Sequence, residues 1–132
     1  MRRIDEIAGD PALGGLSPAV TRTADDVLLG EVALRIVAPA HRGGELGVIF
    51  HPDHSGRGYA IEAAGVVLGV AFGEFGLHRV TGSCDARNLA SARLMERLGM
   101  RREAHFRSNE YVKDEWCDEL VDAILREEWV VR

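Results

Sequence analysis

Apolar residues fall at helical spacing over Ala64, Val67, Leu68, Ala71, Phe72 and Phe75, which predicts an amphipathic helix in the middle of the chain. Just ahead of it, Leu46-Gly47-Val48-Ile49-Phe50 is a short apolar run of strand type, in a strand that starts at Glu45. Ala19 to Thr23, a turn at Ala24-Asp25-Asp26, and Val27 to Val37 predict a β-hairpin, and the Pro39 and glycine-containing stretch from Ala38 to Gly44 turns it into the next strand. Beyond the helix, Arg79 to Cys84 reads as a strand, Asp85-Ala86-Arg87 as a loop and Asn88 to Leu98 as a short helix. Leu94, Met95 and Leu98 give that helix its apolar face, Asn88 caps it and Gly99 stops it. Two further strands follow, at about Met100 to Arg107 and Asp118 to Leu125, with a loop around residues 107 to 117.

These elements predict a mixed α+β architecture: one largely antiparallel sheet with helices packed on it. Neither a repeat nor a linker divides the chain, so residues 1–132 form one domain. Residues 1–18 make a short N-terminal segment and 19–50 antiparallel strands. Residues 51–76 hold a loop and the long helix, and 79–132 the rest. Pro11, Gly14, Gly15 and Pro18 limit how much helix the first segment can hold, and Ala19 opens the first expected strand.

Composition narrows the class. A chain of 132 residues with 46% hydrophobic content is long enough for one core and too short for two ordinary domains. Met1-Arg2-Arg3 runs into Ile4-Asp5-Glu6 rather than an apolar stretch, and no run reaches membrane length, so a cytoplasmic protein without membrane contact is expected. Cys84 and Cys117 match no zinc spacing and read as reduced thiols. The five histidines lack ligand spacing, although His51 and His54 flank the central loop, so no metal is expected. A net charge of −5 argues against nonspecific nucleic-acid binding, which depends on neutralising phosphates. The arginines are nonetheless clustered: Arg87, Arg93 and Arg97 lie in or beside the short helix, and Arg101, Arg102 and Arg107 beyond it. They read as a solvated face paired with Glu96 and Glu103, or as contacts to an acidic ligand.

The sharpest chemistry lies at His51-Pro52-Asp53-His54-Ser55-Gly56-Arg57-Gly58-Tyr59-Ala60-Ile61-Glu62, a glycine-rich turn that joins a strand to a helix. Gly56 and Gly58 let a ligand approach the main chain. The first amides of the following helix lack intrahelical partners and sit at the positive end of its dipole, so the turn can hold a phosphate without a lysine. A dinucleotide fingerprint fits poorly, since Ile61 stands where a third glycine is needed. A Walker loop is excluded too, because Lys113 is the chain's lone lysine.

Ser55-Gly56-Arg57-Gly58-Tyr59-Ala60 with Glu62-Ala63 resembles the acetyl-coenzyme A loop of the GNAT acetyltransferase superfamily, with Gly58 and Ala60 on the pattern and Ser55 where Gln or Arg is usual. Asp85 to Met100 is similar to the second signature of that superfamily, in which an Asn three residues before a Ser opens the helix along the pantetheine arm; here these are Asn88 and Ser91. The resemblance runs from about Ala19 through Glu110-Tyr111-Val112-Lys113 and Trp116 to Leu125, nearest the Rim-type enzymes that acetylate N-termini of ribosomal proteins.

The resemblance implies a GNAT-type fold, with a central pair of parallel strands that splay apart, and acetyl-coenzyme A as cosubstrate. Backbone groups of Val48, Ile49 and Phe50 would meet the thioester, the amides of Ser55, Gly56, Arg57, Gly58, Tyr59 and Ala60 the pyrophosphate, and Asn88 and Ser91 the pantetheine arm. Glu110 aligns with the base proposed for Rim-type enzymes, which acts on the amine through water; Glu45 is a second choice and His51 also lies near. Ser91 would protonate the leaving thiolate, since Met95 occupies the position of the tyrosine that many relatives use. Members usually begin with another strand and two helices, so the chain reads as N-terminally shortened, with an exposed sheet edge that favours a homodimer. The implied activity is acetyl transfer to a primary amine of a protein N-terminus or a small molecule. The alternative is an acetyl-coenzyme A sensor or scaffold module with little catalysis. Tyr111 and Trp116 read as acceptor-pocket, core or interface residues.

Overall fold

The computed structural model describes residues 2–5, 9–10, 15–16, 19–22, 28–50 and 58–130. Its strands are β1 (Arg2–Asp5), β2 (Gly9–Asp10), β3 (Gly15–Leu16), β4 (Ala19–Arg22), β5 (Leu28–Ala38), β6 (Gly43–Phe50), β7 (Arg79–Asp85), β8 (Arg101–Val112) and β9 (Glu115–Leu125). Its helices are α1 (Tyr59–Gly73), α2 (Leu89–Arg97) and α3 (Arg126–Val130), with a 3-10 turn at Pro39–His41. The sheet runs β1-β4-β5-β6-β7-β9-β8, with β2 paired to β3 and β3 to β5. Among the described pairings only β6 with β7 is parallel.

The pleat decides which face is covered. Val32 and Leu34 of β5 lie opposite Val48 and Leu46 of β6, and this face carries α1 through Ala64, Val67, Leu68, Ala71 and Phe72. Val80 of β7 and Ile124 of β9 continue the core, and α2 adds Met95, with Leu98 and Met100 just beyond it. Trp129 of α3 packs on α1, its ring centroid 6.3 Å from that of Phe72. The alternate residues Glu31, Arg35, Gly47 and Ile49 occupy the opposite face, where Ile49 is 72% exposed. Among the described residues, no helix is long and apolar enough to cross a membrane.

Two expectations need correction. A strand does precede Ala19: β1 pairs antiparallel with β4, from Arg2 opposite Arg22 to Asp5 opposite Ala19. The edge of β4 is therefore covered, and the path ends at β1 and β8 instead. Residues 107 to 117 are also not a loop. They belong to a long β8–β9 hairpin closed by Lys113 and Asp114, whose φ values of 49° and 64° place both in the left-handed region of a two-residue turn. The turn at Ala24-Asp25-Asp26 lies outside the described residues.

Candidate active site

The parallel pair parts early. β6 and β7 are in register from Gly43 opposite Arg79 to Leu46 opposite Gly82, after which β6 runs on to Phe50 beside β5, and β7 runs on to Asp85 beside β9. The carbonyl of Gly44 accepts a bond from Thr81 Oγ1 at 3.4 Å, and that of Leu46 lies 3.6 Å from the Cβ position on Gly82, so both face β7. Peptide groups of a strand alternate between its neighbours. The backbones of Val48 and Phe50 therefore turn into the opening between β6 and β7, while Ile49 turns to Glu31 of β5. No described strand pairs with β6 on the β7 side beyond Leu46.

α1 is the next described element after β6, and Tyr59 and Ile61 of its first turn pack against the same core as Val48. Gly58 takes φ 79°, a left-handed conformation that suits glycine, and no side chain caps the helix start. Its carbonyl accepts from the amide of Glu62 at 3.2 Å, so Tyr59 and Ala60 form the first turn with their amides directed along the helix axis toward the loop. Ser55, Gly56 and Arg57, with His51 and His54, lie outside the described residues.

Asn88 caps α2 as its position predicts, its Oδ1 accepting from the amide of Ser91 at 3.1 Å. Ser91 is half-buried in the first turn. Met95, one turn on, is a core residue packed over Gly82. The structure thus brings the α2 cap and the parting of β6 from β7 onto one face of the sheet, through Gly82 and Met95.

The two carboxylate candidates differ. Glu45 lies opposite Arg35 on the uncovered face and is tied to it, Arg35 Nη2 donating to Oε1 at 2.8 Å. Glu110 stands exposed on β8, opposite Cys117 of β9, with no hydrogen bond or ion pair among the described residues. Its neighbour Tyr111 pairs with Trp116 across the hairpin, centroids 5.2 Å apart, and both rings are more than half exposed, so neither belongs to the core.

Most of the clustered arginines are engaged within the fold. Arg87 reaches back to Asp85 through Nε at 3.1 Å and Nη2 at 2.8 Å, donates to Glu115, and places Nη2 2.9 Å from the Cys117 sulfur. These bonds hold the Asp85 carboxyl well below the usual range and raise the guanidinium. Arg102 Nε donates to Asp122 Oδ1 at 2.6 Å, and Arg101 bonds Glu103 and Glu128. Glu103 also pairs with Arg79, which lowers its carboxyl. The expected pairing with Glu103 is therefore present, whereas Arg87 pairs with Asp85 and Glu115. Sequence reading missed the Asp85 anchor, although Asp two residues before the amide it receives, that of Arg87 at 2.8 Å, is a turn signal. Burial pushes both the Cys84 and Cys117 thiols up, and both cysteines are free. Among the described residues no group of three His, Cys, Asp or Glu side chains comes together as a metal site.

The profile of the acetyltransferase (GNAT) domain family matches residues 2–101. An uncharacterised N-acetyltransferase of Bacillus subtilis, YnaD, is 38% identical over 112 residues, covering 85% of this chain and 65% of the relative. The probable N-acetyltransferase YjcK of the same organism is 36% identical over 103 residues, covering 77% of this chain and 57% of the relative. The chain thus spans about three-fifths of the length of these relatives. A GNAT-family acetyltransferase from Bacillus anthracis superposes with a TM-score of 0.79 at 36% identity, over 84% of this chain and 66% of that one. A spermidine/spermine N-acetyltransferase from Vibrio cholerae, SpeG, superposes at 0.82 with 24% identity, over 90% and 71%, a likeness of fold.

Proposed function

The chain belongs to the GNAT acetyltransferase domain family, and on that premise we propose that it transfers the acetyl group of acetyl-coenzyme A to a primary amine. The observation that carries this reading is the parting of β6 from β7 beyond Leu46 and Gly82, followed in the chain by a helix that starts at a left-handed glycine. A thioester laid in that opening meets the backbone of Val48 and Phe50, whose amides would polarise its carbonyl. The amides from Ser55 through Ala60 would hold the pyrophosphate, and Asn88 and Ser91 the pantetheine arm.

In this reading the neutral amine attacks the thioester carbon. A C–N bond forms, the carbonyl becomes an oxyanion, and its collapse breaks the C–S bond to leave an amide and a thiolate. Glu110 takes the excess proton of the amine through water, and Ser91 or water returns one to the thiolate. Glu45 is the less suited base, because Arg35 already occupies one of its oxygens. The acceptor we propose is a primary amine of either a protein N-terminus, as the sequence resemblance to Rim-type enzymes suggests, or a small molecule. The cytoplasm is the compartment we assign, where two unpaired thiols are at home.

Calorimetric titration with acetyl-coenzyme A, beside a Gly58→Trp variant that fills the turn, tests the site. Binding lost in the variant supports the reading, and a folded wild type that does not bind overturns it. A screen of tetrapeptides with free N-termini and of polyamines then tests the reaction. Tight binding without turnover of any amine would favour the sensor or scaffold.

A further inference from the structure

The β8–β9 ladder carries an irregularity beside Glu110. Phe106 lies opposite Glu119 and Glu110 opposite Cys117, so residues 107, 108 and 109 face the single residue Asp118. In an unbroken antiparallel ladder, Ser108 would stand opposite Cys117. The two extra residues draw Glu110 back along the strand by two positions, roughly 7 Å, toward the body of the sheet. Because two residues are inserted, its side chain keeps the face that Ser108 would have had. A base must lie within hydrogen-bond reach of its proton or one water away, so a displacement of this size decides whether Glu110 can serve.

Two side chains of β9 tie the irregularity down: Glu119 Oε1 accepts from Asn109 Nδ2 at 3.0 Å, and of the two Asp118 alone reaches the bulged backbone. Asp118 Oδ1 accepts from the amide of Ser108 at 2.7 Å, and Oδ2 lies 2.8 Å from His105 Nε2. Ser108 sits at φ 48°, a conformation that a serine adopts only when neighbours impose it. The carbonyl of Asp118 meanwhile accepts from the amide of Ala86 at 3.0 Å, in the turn that leads to the Asn88 cap of α2. The alternation of β9 sets Asp118 on the face opposite that of Cys117 and Glu110, so the clamp leaves the face of Glu110 clear.

We propose that Asp118 is a positioning residue, which holds residues 107–109 bulged and thereby sets Glu110 opposite Cys117. The inference rests on the reading of Glu110 as the base. Three substitutions test it. Asp118→Ala removes the clamp, Asp118→Asn keeps an oxygen for the Ser108 amide, and Asp118→Glu keeps the charge while its extra methylene overshoots that amide.

Two readouts decide it. In the NMR spectrum of the labelled full chain, Asp118→Ala should move the Ser108 amide resonance and abolish the backbone contacts between Glu110 and Cys117, while Asp118→Asn keeps them. In turnover of acetyl-coenzyme A with spermidine or an alanyl tetrapeptide, Asp118→Ala should lower kcat at least tenfold with KM for the coenzyme within twofold. Asp118→Asn should recover at least half of the rate, and Asp118→Ala should add no further loss to Glu110→Gln. If Asp118→Ala does not fold, Asp118→Glu takes its place with the same expected results. Unchanged Glu110–Cys117 contacts, an unchanged kcat, or a loss additive with Glu110→Gln overturns the proposal. A full rate in Glu110→Gln alone removes the base itself; the proposal then falls through that variant and not through Asp118.

Discussion

The sulfur of Met95 stands 2.8 Å from the point where a Cβ on Gly82 would lie. Gly82 is also the last rung of the parallel pair, opposite Leu46, so the residue at which the strands part is the one that seats α2. A side chain there must displace Met95, with Met100 Cε at 3.5 Å and the Leu46 carbonyl at 3.6 Å closing the other directions. Gly82→Val should cost about 1–3 kcal/mol through overpacking. Gly82→Ala should cost less, because a lone methyl displaces Met95 less than an isopropyl group does, while the roughly 0.5–1 kcal/mol of backbone entropy returned by removing a glycine from a strand is common to both. Urea unfolding of the two variants checks the order, and a Gly82→Val protein as stable as wild type would refute this packing.

Asp122 is 1% exposed and bonded through Oδ1 to Arg102. Removing the arginine strands a buried carboxylate, whereas replacing both residues with apolar ones removes the charge along with its partner. Arg102→Met should therefore destabilise by about 2–4 kcal/mol, at or below the usual figure for a broken buried pair because Arg102 is itself partly solvated. The double variant Arg102→Met with Asp122→Leu should recover much of that loss. Chemical denaturation of the single and double variants measures the coupling, and a double variant no more stable than Arg102→Met contradicts the assignment.

Elements with a buried face were legible in the sequence. The spacing from Ala64 to Phe72 gave α1, the run before it gave β6, and Asn88 gave the start of α2, because in each case burial or capping restricts which residues can stand there. β8 was legible only in its first half, expected at about Met100 to Arg107: nearly all of Arg101–Val112 is solvent-exposed, so no alternation marks its continuation to Val112. The hairpin turn hid as well, since Lys113-Asp114 lacks the glycine that usually marks two left-handed residues. Of the candidate site, the Asn88 cap and the strands β6 and β7 were readable because capping and burial restrict residue type, whereas the loop from 51 to 57 lies outside the described residues. The bulge at residues 107–109 was not readable, since it depends on a contact between Asp118 and an amide ten residues away.

Asp85 and Asp118 supply an acid-sensitive component of stability. Asp85 is lowered chiefly by the Arg87 side chain, and Asp118 by the Ser108 amide and then His105. A carboxyl lowered in the fold stabilises it above the unfolded value, about 3.9 for Asp, and that contribution drains away as pH falls through the folded value. Stability should thus decline below about pH 4, with Asp85 the last of the two to protonate. Asp85→Asn and Asp118→Asn should each flatten the profile on its acid side, as thermal unfolding between pH 2 and 6 will reveal. A wild-type slope in both variants would place the acid sensitivity elsewhere.

Glu110 and Glu45 can be told apart by a single neutralising substitution in each. Glu110 has no bonded partner among the described residues, so Glu110→Gln changes the charge and little else in the free protein. If it is the base, kcat should fall by about 10²–10⁴, the usual span for general-base catalysis, while calorimetric affinity for acetyl-coenzyme A holds. Glu45→Gln removes the exposed ion pair with Arg35, which is worth about 0–1 kcal/mol, and should leave kcat within about threefold. The contrast matters more than either number, because both glutamates lie on the face of the sheet that α1 and α2 leave uncovered. A large loss in Glu45→Gln with a mild one in Glu110→Gln would move the base to β6 and leave the β8–β9 hairpin a role in acceptor binding alone.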